Sequence, residues 1–112
     1  MKAVVDEAVP RRLARLLPSH GHDVSSFPNA WKGLKNGQLL FCVEDAGYSY
    51  LLTCDKSMRF QQNIEAMGVG FVVLPAQHFD ELVSILSDVV AAVRAVEPGK
   101  VLVIGLPETL RR

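Results

Sequence analysis

The sequence lacks the features that mark disulfide-rich, membrane-spanning or strongly basic proteins. Its two cysteines, Cys42 and Cys54, lie in apolar segments without CxxC spacing. No secretory signal precedes them, so we expect small, buried, reduced thiols and a cytoplasmic location. No apolar run approaches the roughly 18 residues of a membrane span, so we expect no membrane partner. Twelve basic and twelve acidic residues give zero net charge, which excludes a global field that gathers nucleic acid.

Zinc-type spacing is also missing. His20 and His22 flank Gly21, but no cysteine or further histidine is placed to complete a tetrahedral site with them. We therefore predict a turn with solvent-facing histidines. With 112 residues, of which 49% are hydrophobic, the chain can form one domain over 1–112 without disulfide or metal support. Residues 105–112 are polar, and we predict a flexible tail there.

Hydrophobic patterning predicts alternating strands and helices. We place strands near 2–5, 22–24, 50–53, 69–74 and 100–104. We place helices near 10–18, 38–47, in the segment ending at 67, and over 79–96. Alternation of this kind requires a mainly parallel sheet with helices on both faces. The sequence thus predicts an α/β fold, a three-layer α/β/α sandwich with five strands.

The longest predicted helix has one continuous apolar stripe. Its residues are Phe79, Leu82, Val83, Leu86, Val89, Val90 and Val93. The segment 25–37 is irregular and predicts a loop with one helical turn. Its tryptophan, Trp31, either caps the core or, beside Lys32 and Lys35, stacks on a nucleic-acid base.

Carboxylates follow two of the predicted strands. Asp6 and Glu7 come directly after the first strand, and Asp55 follows the strand over 50–53. Carboxyl ends of parallel strands share one edge of the sheet, where such folds place ligands. We therefore expect Asp6 and Asp55 to converge. The same residues also suit turn formation and helix capping, and spacing alone does not separate the two interpretations.

Oxygen ligands favour a hard cation. Asp6, Glu7 and Asp55 would bind Mg²⁺ or Mn²⁺, with Asp6 and Asp55 as the catalytic pair. A divalent ion there would support phosphodiester cleavage or phosphoryl transfer. Thr53 would orient a carboxylate or a water, and Lys56 would contact a substrate phosphate.

The sequence at these positions resembles a known family. The run VVDEAVPRRLARLL followed by GHDV, then LLTCDKSM and finally GKVLVI, is similar to small standalone PIN-like nucleases of prokaryotes. The similarity extends over nearly the whole chain. It implies a PIN-like sandwich, a magnesium- or manganese-dependent ribonuclease site, and an antitoxin-type protein partner in a toxin-antitoxin system.

The matches to this family's motifs are incomplete. Asp6 and Glu7 match the acids of its Asp-Glu-Asn-Leu motif, and Thr53, Asp55 and Lys56 match its Thr-Arg-Asp-Lys-Asp-Phe motif. The remaining motif positions differ, because Ala8, Cys54, Ser57 and Met58 replace the family's Asn, Arg, Asp and Phe. Relatives also carry an acid ahead of the second helix, where this chain has residues 35–37 without one. The resulting expectation is a weak one-ion site.

Two other classes fit the same residues. A response-regulator receiver also has acids after its first strand and a phosphoacceptor aspartate after its third, here Asp55. Receivers, however, place Ser or Thr after the fourth strand and Lys after the fifth, where this chain has Leu74-Pro75 and Ile104-Gly105. The third class is a non-catalytic PIN-like interaction module, favoured by the missing acids and a mean hydropathy of +0.20. An apolar surface of that kind would also support a homodimer.

Overall fold

The computed structural model describes residues 2–20, 23–55 and 68–105. Strands and helices alternate through these residues. The strands are β1 Lys2–Val5, β2 Asp23–Ser25, β3 Tyr50–Thr53, β4 Gly70–Val73 and β5 Val101–Val103. The α-helices are α1 Arg11–Leu16, α2 Asn36–Asp45, α3 Phe79–Ser84 and α4 Leu86–Ala95, and 3-10 turns span Leu17–His20 and Asn29–Trp31.

The five strands form one parallel sheet in the order β2-β1-β3-β4-β5. This is one of the common strand orders of doubly wound α/β folds. Both central strands, β3 and β4, are buried along their whole length, as expected where helices cover a parallel sheet. The predicted α/β fold with a five-stranded parallel sheet is therefore confirmed.

Side chains alternate between the two faces of the sheet and build two cores. The first core lies on the α1 face, where α1, α3 and α4 pack over alternate strand residues such as Val5, Leu52 and Val72. The second core lies on the α2 face, where α2 packs over the intervening residues such as Leu51 and Phe71. Helices on both faces give the predicted three-layer sandwich.

Two crossovers share the α1 face. The connection from β1 to β2 through α1 steps toward one edge of the sheet, and the connection from β4 to β5 through α3 and α4 steps toward the other. Two crossovers that step in opposite directions on one face have opposite hands. One of them therefore departs from the right-handed form found in about 98% of cases. The arrangement brings α1 beside α3, where the Arg12 guanidinium lies 4.3 Å from the Phe79 ring centre.

The prediction of a single helix over 79–96 is wrong, because the helix is interrupted at Ile85, which separates α3 from α4. Ile85 has φ −119° and ψ 25°, outside the helical region. The Ser84 hydroxyl donates to the Glu81 carbonyl at 2.6 Å, and such a bond within the preceding turn bends helices. As a result, Val83, which belongs to the predicted apolar stripe, is 40% exposed. Ile85, which does not belong to that stripe, is 2% exposed.

Other predicted elements agree within a few residues, and the 3-10 turn at Asn29–Trp31 is the helical turn expected in segment 25–37. The helix ending near 67, the turn at Gly21-His22 and the tail beyond 105 lie outside the described residues. Among the described helices, none combines the length and hydropathy that a membrane crossing requires.

Candidate functional site

The candidate site lies at the carboxyl ends of β1 and β3. From β1 the chain passes to β2 on one side, and β3 lies on the other, so this is the point where the strand order reverses. Doubly wound sheets bind ligands in the crevice at such a point. Asp6 follows β1 directly, and its N–H extends the ladder by donating to the Leu52 carbonyl at 2.8 Å. The backbone of Asp6 is therefore fixed by the sheet.

The hydroxyl of Thr53 links the two predicted acidic positions. It donates to Asp6 Oδ2 at 2.8 Å and accepts the backbone N–H of Asp55 at 3.1 Å. Thr53 is fully buried and is the one buried polar residue in the described part of the chain. A buried hydroxyl requires partners, and the end of β1 and the segment after β3 supply them. Thr53 thus contacts the Asp6 carboxylate, whereas the convergence of the Asp6 and Asp55 carboxylates stays a prediction.

The other carboxylate oxygen of Asp6 serves the turn after β1. Asp6 Oδ1 accepts the N–H of Glu7 at 2.8 Å, and the Asp6 carbonyl accepts the N–H of Val9 at 3.1 Å. The turn-forming role proposed for this residue is therefore present. This role leaves the carboxylate able to bind a cation, because each of its oxygens has a further lone pair.

The other predicted site residues have different placements. Glu7 reaches Asp6 through its backbone, and its side chain is exposed. Asp55 is partly buried, and Lys56 lies outside the described residues. Across residues 2–20, 23–55 and 68–105, no three His, Cys, Asp or Glu side chains cluster closely enough to hold a metal ion. The three-carboxylate ligand set stays a prediction.

The oxygen atoms at the site are of the kind that a hard cation prefers. The Asp6 carboxylate and the Thr53 hydroxyl bring oxygen atoms together at this point of the sheet, and Asp55 joins them through its backbone N–H. Oxygen atoms suit Mg²⁺ or Mn²⁺ and disfavour softer metals. Magnesium is commonly held by one or two carboxylates and several waters, without an all-protein cage. Asp6 and Asp55 are the residues that would supply those carboxylates.

Cys54 lies between Thr53, the last residue of β3, and Asp55, but it faces the opposite side of the sheet. Its thiol donates to the Ala76 carbonyl at 3.1 Å and packs against the α1-face core. Burial, followed by the negative charge of Asp6, raises the pKa of the thiol from its usual 9.0 to about 11. The thiol is therefore protonated at neutral pH, and the charge of Asp6 contributes to this. Side-chain alternation along β3 would have indicated the inward placement of Cys54.

Trp31 belongs to an aromatic cluster at the edge of the second core. Its ring lies edge-on to Phe27 at 6.2 Å and to Tyr48 at 6.0 Å. All three are partly buried and pack against the α2-face core. Of the two roles considered for Trp31, the structure shows the one that caps the core.

The receiver alternative shares the sheet order but not the chemistry. The order β2-β1-β3-β4-β5 is also that of receiver domains. After β4, however, come buried Leu74 and Pro75, and after β5 come Ile104 and Gly105. The hydroxyl and the lysine that a receiver needs beside its phosphoacceptor are missing from these strand ends.

No protein-family model, curated protein or solved structure matches the chain. The functional interpretation therefore depends on the geometry of the site.

Replacing Thr53 with valine tests the hydroxyl link. Valine keeps the shape but removes both hydrogen bonds, one of them to a charged group, so we expect the free energy of unfolding to fall by about 1.5 to 3 kcal/mol. Urea denaturation at neutral pH measures it. Thr53→Ser keeps the hydroxyl and is the matched control. If serine destabilises as much as valine, the hydroxyl is not what stabilises this edge.

The Cys54 thiol provides a test of its raised pKa. In a Cys42→Ser background, alkylation by iodoacetamide should become half-maximal near pH 11, because only the thiolate reacts. Asp6→Asn removes the second cause of the shift and should move the midpoint to lower pH. Asp88→Asn, an acid-to-amide change on the exposed part of α4, should leave it in place. A midpoint near pH 9.0 in the parent protein would contradict the described environment of the thiol.

Proposed function

We propose that the chain is a divalent-metal-dependent ribonuclease of PIN-like type. The observation that carries this proposal is the Thr53 hydroxyl, which binds the Asp6 carboxylate and the backbone of Asp55 at the point where the strand order reverses. Acids held at this place in a parallel sheet support metal-assisted chemistry. The choice of RNA as substrate comes from the family resemblance of the β1 and β3 motifs.

Asp6 and Asp55 would hold one Mg²⁺ or Mn²⁺, with Glu7 near enough in sequence to contribute through water. The bound ion would neutralise charge on the scissile phosphate and lower the pKa of a water. Thr53 keeps one oxygen of Asp6 in place, and the Glu7 N–H keeps the other. Because both bonds are made before any ion arrives, little reorganisation of Asp6 is needed on binding.

The attacking group in this proposal is water and not the protein. Cys54 is the one thiol beside the site, and it stays protonated and bonded to the Ala76 carbonyl at neutral pH. A protonated thiol is a poor nucleophile. Lys56 follows Asp55 in sequence, and in this proposal it contacts the substrate phosphate. The proposed biological role is the toxin of a toxin-antitoxin pair, active in the cytoplasm and inhibited by an antitoxin-like protein.

A non-catalytic PIN-like binding module is the second candidate. One observation favours it: both oxygens of Asp6 already accept hydrogen bonds from the chain, as they would in a purely structural turn. In this alternative the acidic residues keep the fold in place, and function depends on a protein partner or a second copy of the chain.

Manganese binding separates the two candidates. Calorimetric titration of the purified protein should show saturable uptake of one ion. Asp6→Asn and Asp55→Asn should each abolish it, because each removes a ligand charge. Thr53→Val should weaken it by roughly 10- to 100-fold, the usual cost of losing a group that orients a ligand. Asp88→Asn, on exposed α4 away from the site, is the control and should bind as the parent does.

An RNA-cleavage assay with the same variants completes the test. Cleavage should require Mg²⁺ or Mn²⁺ and should be lost in both aspartate variants. Absence of saturable uptake at millimolar manganese would contradict the ribonuclease proposal and support the binding module.

A further inference from the structure

Arginine occupies the whole exposed surface of α1. Leu13 and Ala14 are buried against the α1-face core, whereas Arg11, Arg12 and Arg15 are exposed. Leu16 is partly buried. Three of the chain's 12 basic residues thus lie within five positions, and the helix has no acid of its own. We call these three residues the arginine face.

Arg11 and Arg12 oppose the stability of their own helix, whereas Arg15, in the last turn, is favourably placed with respect to the helix dipole. Arg11 and Arg12 lie in the first turn, where the helix dipole favours negative side chains. Arg11 and Arg15 are like charges four residues apart, an arrangement that costs roughly 0.2 to 0.5 kcal/mol. A helix of six residues has little stability of its own with which to offset such terms. Local arrangements that break these rules are expected where a partner supplies the compensating charge.

One guanidinium of the face is already ordered. The Arg12 guanidinium carbon lies 4.3 Å from the centre of the Phe79 ring, and Phe79 packs against the α1-face core. Stacking on a ring leaves the edges of the planar guanidinium available for hydrogen bonds. These edges match a phosphate with two parallel bonds, a geometry that lysine does not offer.

Two acids lie near this contact, and they have a local explanation. Asp80 and Glu81 follow Phe79 in the first turn of α3, where negative charge stabilises the helix. Within the described residues, neither they nor any other carboxylate forms an ion pair with the arginine face. The three charges of the face therefore remain unneutralised in the described structure.

The arginine face begins beside the candidate site. The chain runs from Asp6 through the turn fixed by the Val9 N–H directly into α1. Both Asp6 and the first turn of α1 therefore lie at the carboxyl edge of the sheet. The Asp6 side chain points to the α2 face and α1 covers the other face, so a phosphodiester chain that crosses this edge of the sheet would meet both.

We propose that the arginine face of α1 binds the phosphate backbone of single-stranded RNA and directs it to the Asp6 site. This inference rests on the proposed function, because it names the surface by which the same site receives its substrate. The contacts are to phosphate, so binding depends on salt and is insensitive to sequence.

The test is RNA binding in the presence of EDTA, so that no cleavage takes place. Anisotropy of a short fluorescein-labelled single-stranded RNA is measured over a series of salt concentrations with the parent and with Arg11→Gln/Arg15→Gln. Each phosphate contact to a single strand contributes about 0.7 to the slope of log K against log salt, so the double variant should lose about 1.4. Its affinity at low salt should fall roughly tenfold or more. Its thermal stability should not fall, because like-charge repulsion is removed.

The matched control is Arg94→Gln/Lys100→Gln, which removes the same charge from two exposed positions, one near the end of α4 and one just before β5. It should keep the parent slope. Equal losses in both double variants, no loss in the first, or no RNA binding by the parent would each overturn the inference.

Asp6→Asn separates this inference from the proposed function. It removes a negative charge that repels phosphate when no metal is bound, so in EDTA it should bind RNA at least as tightly as the parent, and with manganese present it should not cleave RNA. If RNA binds through α1 but the parent does not cleave it with manganese present, the ribonuclease proposal is contradicted, whereas RNA binding by the arginine face is supported. If cleavage depends on Asp6 but not on Arg11 and Arg15, the inference about the arginine face is contradicted and the ribonuclease proposal stands.

Discussion

The hydrogen bond from Thr53 to Asp6 is the constraint on which the site depends. A hydroxyl that is fully buried must find a partner or cost about 1 to 3 kcal/mol. Here the partner is a carboxylate at the end of the neighbouring strand. This bond fixes Asp6 and, through the same oxygen, the backbone of Asp55. One satisfied hydroxyl therefore joins the carboxylate of Asp6 to the backbone of Asp55.

The parallel register makes this bond geometrically available. Val4 pairs with Leu51, and both point into the α2-face core. Because side chains alternate, Asp6 and Thr53, two residues further on, point to that same face. Cys54 directly follows Thr53, so its side chain points to the opposite face of the sheet, into the α1-face core. The sheet thus sorts neighbouring residues of one motif into a polar site and an apolar core.

Much of this could be predicted from the sequence. The short apolar runs around Val4, Leu51 and Val72 indicate buried parallel strands, and turn residues separate them from helical periodicity. Convergence of Asp6 and Thr53 follows from placing β1 beside β3. The break at Ile85 could not be predicted in this way, because periodicity continues through it. The break accompanies a local hydrogen bond, which the Ser84 hydroxyl donates to the Glu81 carbonyl.

The candidate site carries negative charge, and the helix that follows β1 carries positive charge. Asp6 lies directly after β1 at the carboxyl edge of the sheet, and the arginine face lies on the helix that follows it. A chain with zero net charge can still present positive charge to a polyanion over one helix and negative charge to a cation at one strand end. Because the opposite charges cancel in the total, composition alone gives no sign of either.

The central claim is that Asp6 and Asp55 share one divalent ion. The most direct measurement is the anomalous difference density of a crystal soaked in Mn²⁺. The account predicts one peak within about 2.0 to 2.6 Å of carboxylate oxygens from both residues, the range of metal–oxygen bonds in such sites. A peak at another place on the chain, or none at a concentration that saturates binding in solution, would contradict it.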